Sequence, residues 1–195
     1  MKKIMIFAAM ALIVMSAAAQ GVVRRQVIDL KSVKIEEAKT MLPDTVMPNG
    51  DWQKVVQTEM SAKDGFKYAR QVLAKLVPDY QNNVQLEDTT NCKLVVTGAL
   101  PLLASAKIGD YTSLLEGMYD ITLTISIKDN RYRISCESVK CLLGNSVPGA
   151  QVIMPMADLI SKTGSSLQKN LRIEAGRLVA MIDRMLKKQK SDDDF

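Results

Sequence analysis

Between Tyr119 and Lys128 apolar and polar residues alternate without a break: Tyr119, Ile121, Leu123, Ile125 and Ile127 against Asp120, Thr122, Thr124, Ser126 and Lys128. A period of two predicts a strand with one face in the core and the other in water. Asp129-Asn130 supplies two residues that tolerate positive φ, so Arg131 to Leu142 returns as the partner strand of a tight hairpin. Pairing Lys128 with Arg131 sets Tyr132 opposite Ile127, Ile134 opposite Ile125 and Cys136 opposite Leu123, and the apolar face continues. Beyond Glu137 the phase slips, because Val139, Cys141 and Leu143 are apolar at odd positions. A bulge near Ser138 reconciles the two halves.

Other elements are read with the same two periods. Trp52 to Glu59 alternates imperfectly and fits a strand better than a helix. Ser61 followed by Asp64 has the form of a capping box with the shorter acid. From there Phe66, Ala69, Val72/Leu73 and Leu76/Val77 recur at helical spacing until Pro78, leaving Lys63, Lys67, Arg70 and Lys75 on the other arc. Val84–Asp88 and Cys92–Gly98 form a hairpin around Thr89-Thr90-Asn91. Ala99 to Gly117 carries Pro101, Gly109 and Gly117 without a clean period and is expected to be a long connection. After Pro155, Met156, Ile160, Leu167, Leu171, Ala175, Leu178, Ile182 and Met185 fall on one helical stripe that ends near Lys190. Gly164 lies on that stripe and either breaks the helix or lets its backbone approach the sheet; one long helix is the expectation. Residues 20–51 are expected to be an N-terminal extension with a short helix at Val33, Ile35, Ala38 and Leu42, stopped by Pro43 and followed by a turn at Pro48-Asn49-Gly50-Asp51.

The first twenty residues read as an export signal. Lys2 and Lys3 form a positive start, Ile4 to Met15 an apolar stretch, and Ala17-Ala18-Ala19 a small-residue cleavage site before Gln20. The apolar run is short of the roughly 20 residues that span a bilayer, so no transmembrane anchor is expected after processing. The domain plan is therefore signal 1–19, extension 20–51, an α+β domain 52–190 and an acidic tail 191–195, with the mature chain in the periplasm or outside the cell.

Composition removes whole classes of chemistry. The chain has 195 residues and no His, which rules out a Ser-His-Asp triad, a Cys-His pair and any His-bearing zinc site. Of 26 Lys and Arg against 21 Asp and Glu, Lys2 and Lys3 leave with the signal, so the mature chain is nearly neutral. The basic excess between Lys162 and Lys190 reads as the solvated side of an amphipathic helix. Cys92, Cys136 and Cys141 show no C-x-x-C spacing. If consecutive strands are neighbours, Cys92 and Cys136 stand two strands apart, about 9–10 Å at 4.7–4.9 Å per step, too far to bridge. Free thiols are expected, with Cys136 an inert buried one. Adjacent acids such as Glu87/Asp88 point to opposite faces of a strand and make no paired site, and Asp110/Glu116 fare no better.

The order β-α-β-β-β-β-α describes a curved antiparallel sheet with a long C-terminal helix packed on one face. The entry Ser61-Ala-Lys-Asp-Gly-Phe-Lys-Tyr-Ala-Arg70, the strand Tyr119-Asp-Ile-Thr-Leu and the turn Lys128-Asp-Asn-Arg-Tyr-Arg133 carry a resemblance. In these residues the chain resembles the secreted domain-of-unknown-function family with a TATA-binding-protein-like fold that is common in Bacteroides-type bacteria. The likeness spans about Trp52 to Cys141, with Asn130 where Gly would be expected. It implies a fold and an exported location, and it supplies no activity, cofactor or functional residue.

What remains is a non-catalytic envelope module that binds a protein, a glycan or a small molecule. Its expected partner face is the wet side of the hairpin, with Thr122, Thr124, Arg131, Arg133 and Glu137. No catalytic residue, cofactor or metal is assigned, and that face lacks the apolar wedges of minor-groove binders, so nucleic acid is not an expected partner. The alternative is a carrier of an apolar ligand in a cavity between the sheet and the last helix, lined by Met154, Met156, Met181 and Met185.

Overall fold

The computed structural model describes residues 26–108, 111–143, 152–163 and 165–193. The signal reading and Gly164 lie outside these residues. In chain order the elements are α1 (Ile35–Thr40), β1 (Thr45–Val46), β2 (Trp52–Gln57), α2 (Ala62–Leu76), α3 (Tyr80–Asn83), β3 (Val84–Asp88), β4 (Lys93–Ile108), β5 (Tyr111–Lys128), β6 (Arg131–Leu143), β7 (Val152–Pro155), α4 (Met156–Thr163) and α5 (Ser166–Asp193). The architecture is α+β. Seven antiparallel strands form one sheet in the order β1-β2-β6-β5-β4-β3, with β7 also beside β6, and the long terminal helix lies on one face.

The central hairpin has the register that alternation alone dictates. Lys128 pairs with Arg131, Ile127 with Tyr132, Ile125 with Ile134 and Leu123 with Cys136. Only Asn130 of the two turn residues takes a positive φ, 61°. The turn is clamped from outside: Thr58 N–H donates to the Asn130 carbonyl, Asn130 N–H to the Met60 carbonyl, and Ala62 N–H to Asp129 Oδ1. Asp129 is thereby held in an ordinary conformation. The bulge falls where the phase slip requires it. Ser138 has φ 58°, the register shifts between Asp120 and Thr122, and Val139 and Cys141 return to the core.

Helix α2 starts as its sequence dictates. Asp64 N–H donates to Ser61 Oγ at 3.1 Å, and the Ser61 hydroxyl donates to Asp64 Oδ2 at 2.6 Å. Its buried stripe includes Phe66, Ala69, Val72 and Leu73. Tyr119, Ile121, Leu123, Ile125, Tyr132 and Ile134 on the sheet meet Leu167, Leu171, Ala175, Leu178 and Ile182 of α5, all at 2% exposure or less. These side chains line the seam in which the alternative reading sets an apolar ligand.

Three expectations change. Of the supposed connection Ala99–Gly117, residues 99–108 and 111–117 are strand: β4 and β5 pair from Lys93↔Ser126 to Ile108↔Tyr111. Pro101 is tolerated because β3 stops pairing at Val96, which leaves the far edge of β4 open there. Ile28 N–H donates to the Ala99 carbonyl on that edge, and Pro101, two residues on, turns its missing N–H the same way. In place of a single C-terminal helix the described residues form two, one ending at Thr163 and the next beginning at Ser166. The expected N-terminal extension supplies Ile28, Leu30, Val33 and Ala38 to the same core as the sheet. Gly176 lets α1 lie directly on α5, since a Cβ there would stand 2.5 Å from the Ala38 carbonyl oxygen.

Candidate functional site

The face of the sheet turned away from α2 and α5 is built from cross-strand rows. One row runs Gln57–Arg131–Lys128, and the next Val55–Arg133–Ser126–Lys93–Asp88. A third runs Gln53–Ser135–Thr124–Val95–Leu86. Glu137, Thr122 and Thr97 follow on the far side of one core-facing row. All five residues expected as a partner face are therefore on this surface, with Arg131, Arg133 and Glu137 exposed and the two threonines half-buried.

They do not form one cluster. At 3.2–3.4 Å per residue, Glu137 is about 20 Å along β6 from Arg131, too far to neutralise it. Arg131 and Arg133 instead converge with Lys128, Ser126 and Val55 around a surface hollow of about 280 Å³. Thr122 and Glu137 pair with each other beside the Ser138 bulge, and Thr124 lies between the two groups.

Lys128 and Val55 are members that the sequence reading left out. Lys128 was legible as the residue opposite Arg131 in the hairpin. Val55 was not, because the pairing of β2 with β6 joins residues far apart in sequence. Among the described residues, Lys128, Arg131 and Arg133 make no ion pair and no side-chain hydrogen bond. Three guanidinium and ammonium groups thus face one hollow without a counter-charge. Val55, 39% exposed, gives the hollow an apolar side. Chemically this can hold an anion bidentately through arginine and rest an apolar or planar group against valine.

The groups considered for catalysis lie elsewhere. Cys136 is fully buried, and desolvation, reinforced by the negative charges of Asp51, Glu137 and Asp120, pushes its thiol far above the usual range. A thiol so held is neither ionised nor reachable. Glu87 and Asp88 face opposite sides, as neighbours on a strand must. Glu87 accepts from the Tyr80 hydroxyl at 2.8 Å and pairs with Arg70 at 2.8 Å, whereas Asp88 caps the β3–β4 turn through Asn91. Glu116 belongs to β5, and Asp110 lies outside the described residues. Cys92, Cys136 and Cys141 are free thiols. Among the described residues no group of three or more Cys, Asp or Glu is placed to hold a metal ion, and no helix is long and apolar enough to cross a membrane.

No family model and no curated protein matches the sequence. Solved structures do. A DUF4468 family protein from Bacteroides ovatus is similar with TM-score 0.44 at 14% identity, over 75% of this chain and 89% of that one. A TBP-like protein from Parabacteroides distasonis is similar with TM-score 0.43 at 15% identity, over 73% of this chain and 88% of that one. Among the structural neighbours of this chain are thus a domain-of-unknown-function protein and a TBP-like protein.

Proposed function

We propose that this chain is an exported, non-catalytic binding module that docks an anionic group of an envelope protein, a glycan or a small molecule on the open face of its sheet. The observation that carries the reading is the cluster of Lys128, Arg131 and Arg133, three cations around one hollow without an acidic partner among the described residues. Like charges held this close repel one another, so the arrangement opposes folding unless something negative occupies it. Export is supported by the Lys2-Lys3, Ile4–Met15 and Ala17–Ala19 pattern of the first residues. Among the described residues no carboxylate lines the hollow to activate the Ser126 hydroxyl, which supports a binding role over a catalytic one.

The test is a titration of isotopically labelled protein with an acidic peptide, a uronic-acid oligosaccharide and their neutral counterparts, followed by NMR. Saturable shifts at Val55, Ser126, Arg131 and Arg133 with the acidic probes alone, lost in Arg131→Glu/Arg133→Glu, are expected. If neutral and acidic probes behave alike, or if the double variant binds as the parent does, the reading fails.

A further inference from the structure

The pairing register makes the cation cluster on the open face a block of two rows. Arg131 stands directly opposite Lys128 and Arg133 directly opposite Ser126, and the rows lie about 6–7 Å apart along the strands. On β2, Gln57 closes the Arg131 row and Val55 the Arg133 row. Two guanidinium forks, one ammonium and one hydroxyl thus border the hollow of about 280 Å³. That number of donors separates one class of anion from another. A carboxylate is planar, with two oxygens and one charge, so a single arginine fork satisfies it and the other two cations stay uncompensated. A phosphate monoester presents three acceptor oxygens in a tetrahedral spread and carries about −1.5 to −2 at pH 7, so it takes both forks and the ammonium together.

The surroundings favour a sugar as the bearer of the phosphate. One row further along the strands, again about 6–7 Å away, runs Gln53–Ser135–Thr124. Among the described residues these three side chains, like Gln57 and Ser126, make no side-chain hydrogen bond or ion pair within the protein. Their amides and hydroxyls both donate and accept, which is the complement of a sugar's hydroxyls. Val55 lies between Gln53 and Gln57 on the same face of β2 and offers an apolar spot to the C–H face of a ring. A lipid headgroup is served less well, because a membrane-docking surface buries a broad apolar face and Val55 is the one aliphatic side chain among the described residues that line the hollow.

We propose that the hollow binds a sugar carrying a terminal phosphate monoester, with the phosphate among Lys128, Arg131 and Arg133 and the ring against Val55, its hydroxyls toward the Gln53–Ser135–Thr124 row. This rests on the reading of the hollow as an anion-docking surface and narrows it to one class of ligand. The charged groups at the hollow are Lys128 of β5 and Arg131 and Arg133 of β6. Lys93 of β4 and Asp88 of β3 lie further along the Arg133 row, and Asp129 sits in the turn, where it accepts from Ala62 N–H. Without His the chain has no side chain whose ordinary pKa falls between pH 5 and 7.5, so over that range the charge that changes at the hollow is the phosphate's, around its second pKa of about 6.

The experiment titrates the isotopically labelled protein with glucose 6-phosphate, glucuronate, inorganic phosphate and glucose, followed by NMR at low salt and at both pH 5 and pH 7.5. At pH 7.5 glucose 6-phosphate should bind at least tenfold more tightly than glucuronate, which carries a carboxylate at the same position of the same ring. It should bind at least threefold more tightly than inorganic phosphate, and glucose should not bind. At pH 5 its affinity should fall threefold or more while that of glucuronate stays within twofold. Gln53→Ala/Thr124→Ala should weaken glucose 6-phosphate threefold or more and leave inorganic phosphate unchanged, whereas Arg131→Gln/Arg133→Gln should weaken both. Equal affinity for glucuronate and glucose 6-phosphate, a glucose 6-phosphate affinity that ignores pH, or inorganic phosphate binding as tightly as the sugar phosphate would each overturn the proposal and leave a hollow for anions at large. Binding of phosphatidic acid vesicles or of a phosphoserine peptide, without any of glucose 6-phosphate, would overturn it in favour of another bearer of the phosphate. If no anion shifts the resonances of Val55, Ser126, Arg131 and Arg133, the anion-docking reading fails with it.

Discussion

The Tyr132 hydroxyl donates to Asp183 Oδ1 at 2.8 Å, fastening the hairpin to the terminal helix inside the core. Lys187 takes the other carboxylate oxygen at 2.7 Å. Burial and the nearby Asp183 charge both push the Tyr132 phenol far above its ordinary value, so it stays a donor. Tyr119 does the same lower on the sheet, donating to Asn170 Oδ1 at 2.8 Å with the Leu167 carbonyl oxygen 3.2 Å away as a second acceptor for the same proton. The two tyrosines fix where along the ribbon α5 lies, which apolar packing alone leaves free to slide.

Tyr132→Phe removes the donor and strands a buried carboxylate oxygen, a loss of about 1–3 kcal/mol. Urea unfolding should show it as a lower midpoint. Because the penalty belongs to the orphaned acceptor, Tyr132→Phe/Asp183→Leu should recover part of the loss. A single variant as stable as the parent would remove the bond from this account.

Gly176→Ala tests whether α1 is part of the core. The added methyl would stand 2.5 Å from the Ala38 carbonyl oxygen and 3.2 Å from Leu42 Cδ2, so α1 must move off α5. Overpacking of this kind costs about 1–3 kcal/mol. Residues 26–46 should become sensitive to limited proteolysis while the sheet retains its circular dichroism. Unchanged cleavage would mean that α1 yields without leaving.

The ribbon Tyr119–Cys136 was legible because its face alternates strictly and its turn is local. Every pair from Lys128↔Arg131 to Leu123↔Cys136 follows from these two facts. The continuation of β4 and β5 past Ala99 was not, since Pro101 and Gly117 look like breakers until the open edge and the neighbour of each are known. Gly117 lies where a Cβ would collide with the Leu142 carbonyl, a constraint set by a strand 25 residues downstream. Ile28 and Leu30 show no period, and Ile28 joins the sheet through a contact with Ala99 that no local pattern announces. For the candidate site, alternation puts Arg131 and Arg133 on the wet face, but only the long-range pairing with Val55 gives them a hollow to share.

Asp44 straps the loop before β2 to the strand, accepting from Lys54 Nζ at 2.7 Å and from Val55 N–H at 2.9 Å. The bond to Lys54 holds its carboxyl below the ordinary 3.8; burial pushes the other way, and the bond to Val55 and the Lys54 charge add to the lowering. A carboxyl whose folded value is depressed stabilises above its unfolded value and loses that stabilisation as pH falls through the folded one. Asp44→Asn should therefore unfold more easily than the parent at pH 7, with the gap closing below about pH 3.8. The check is a series of urea midpoints across pH 2.5–7, and a gap independent of pH would assign the effect to packing. Exposure of the pair to solvent keeps the expected difference small.

Thiol chemistry should divide the three cysteines cleanly. Burial pushes Cys141 up to about 12 and Cys136 well above its usual range, and both lie within the core. Native protein treated with iodoacetamide should add one label, on Cys92, and three after unfolding. Rapid labelling of Cys136 in the native state would show that the β6 register opens.

The Lys128, Arg131 and Arg133 cluster makes a prediction about stability that separates a docking surface from ordinary solubilising charge. Lys128 and Arg131 are directly opposite in the ribbon, where like charges destabilise by roughly 0.2–1 kcal/mol, and Arg133 adds to the repulsion from the next row. Salt screens such exposed charges within about 8–10 Å, so the parent should gain stability between 10 and 150 mM salt. Arg131→Gln/Arg133→Gln should be the more stable protein at low salt and lose that advantage as salt rises. The same variant should bind the acidic probes more weakly. Surface arginines that serve solubility alone would change neither quantity in this paired way, because their removal relieves no local repulsion and deletes no ligand contact.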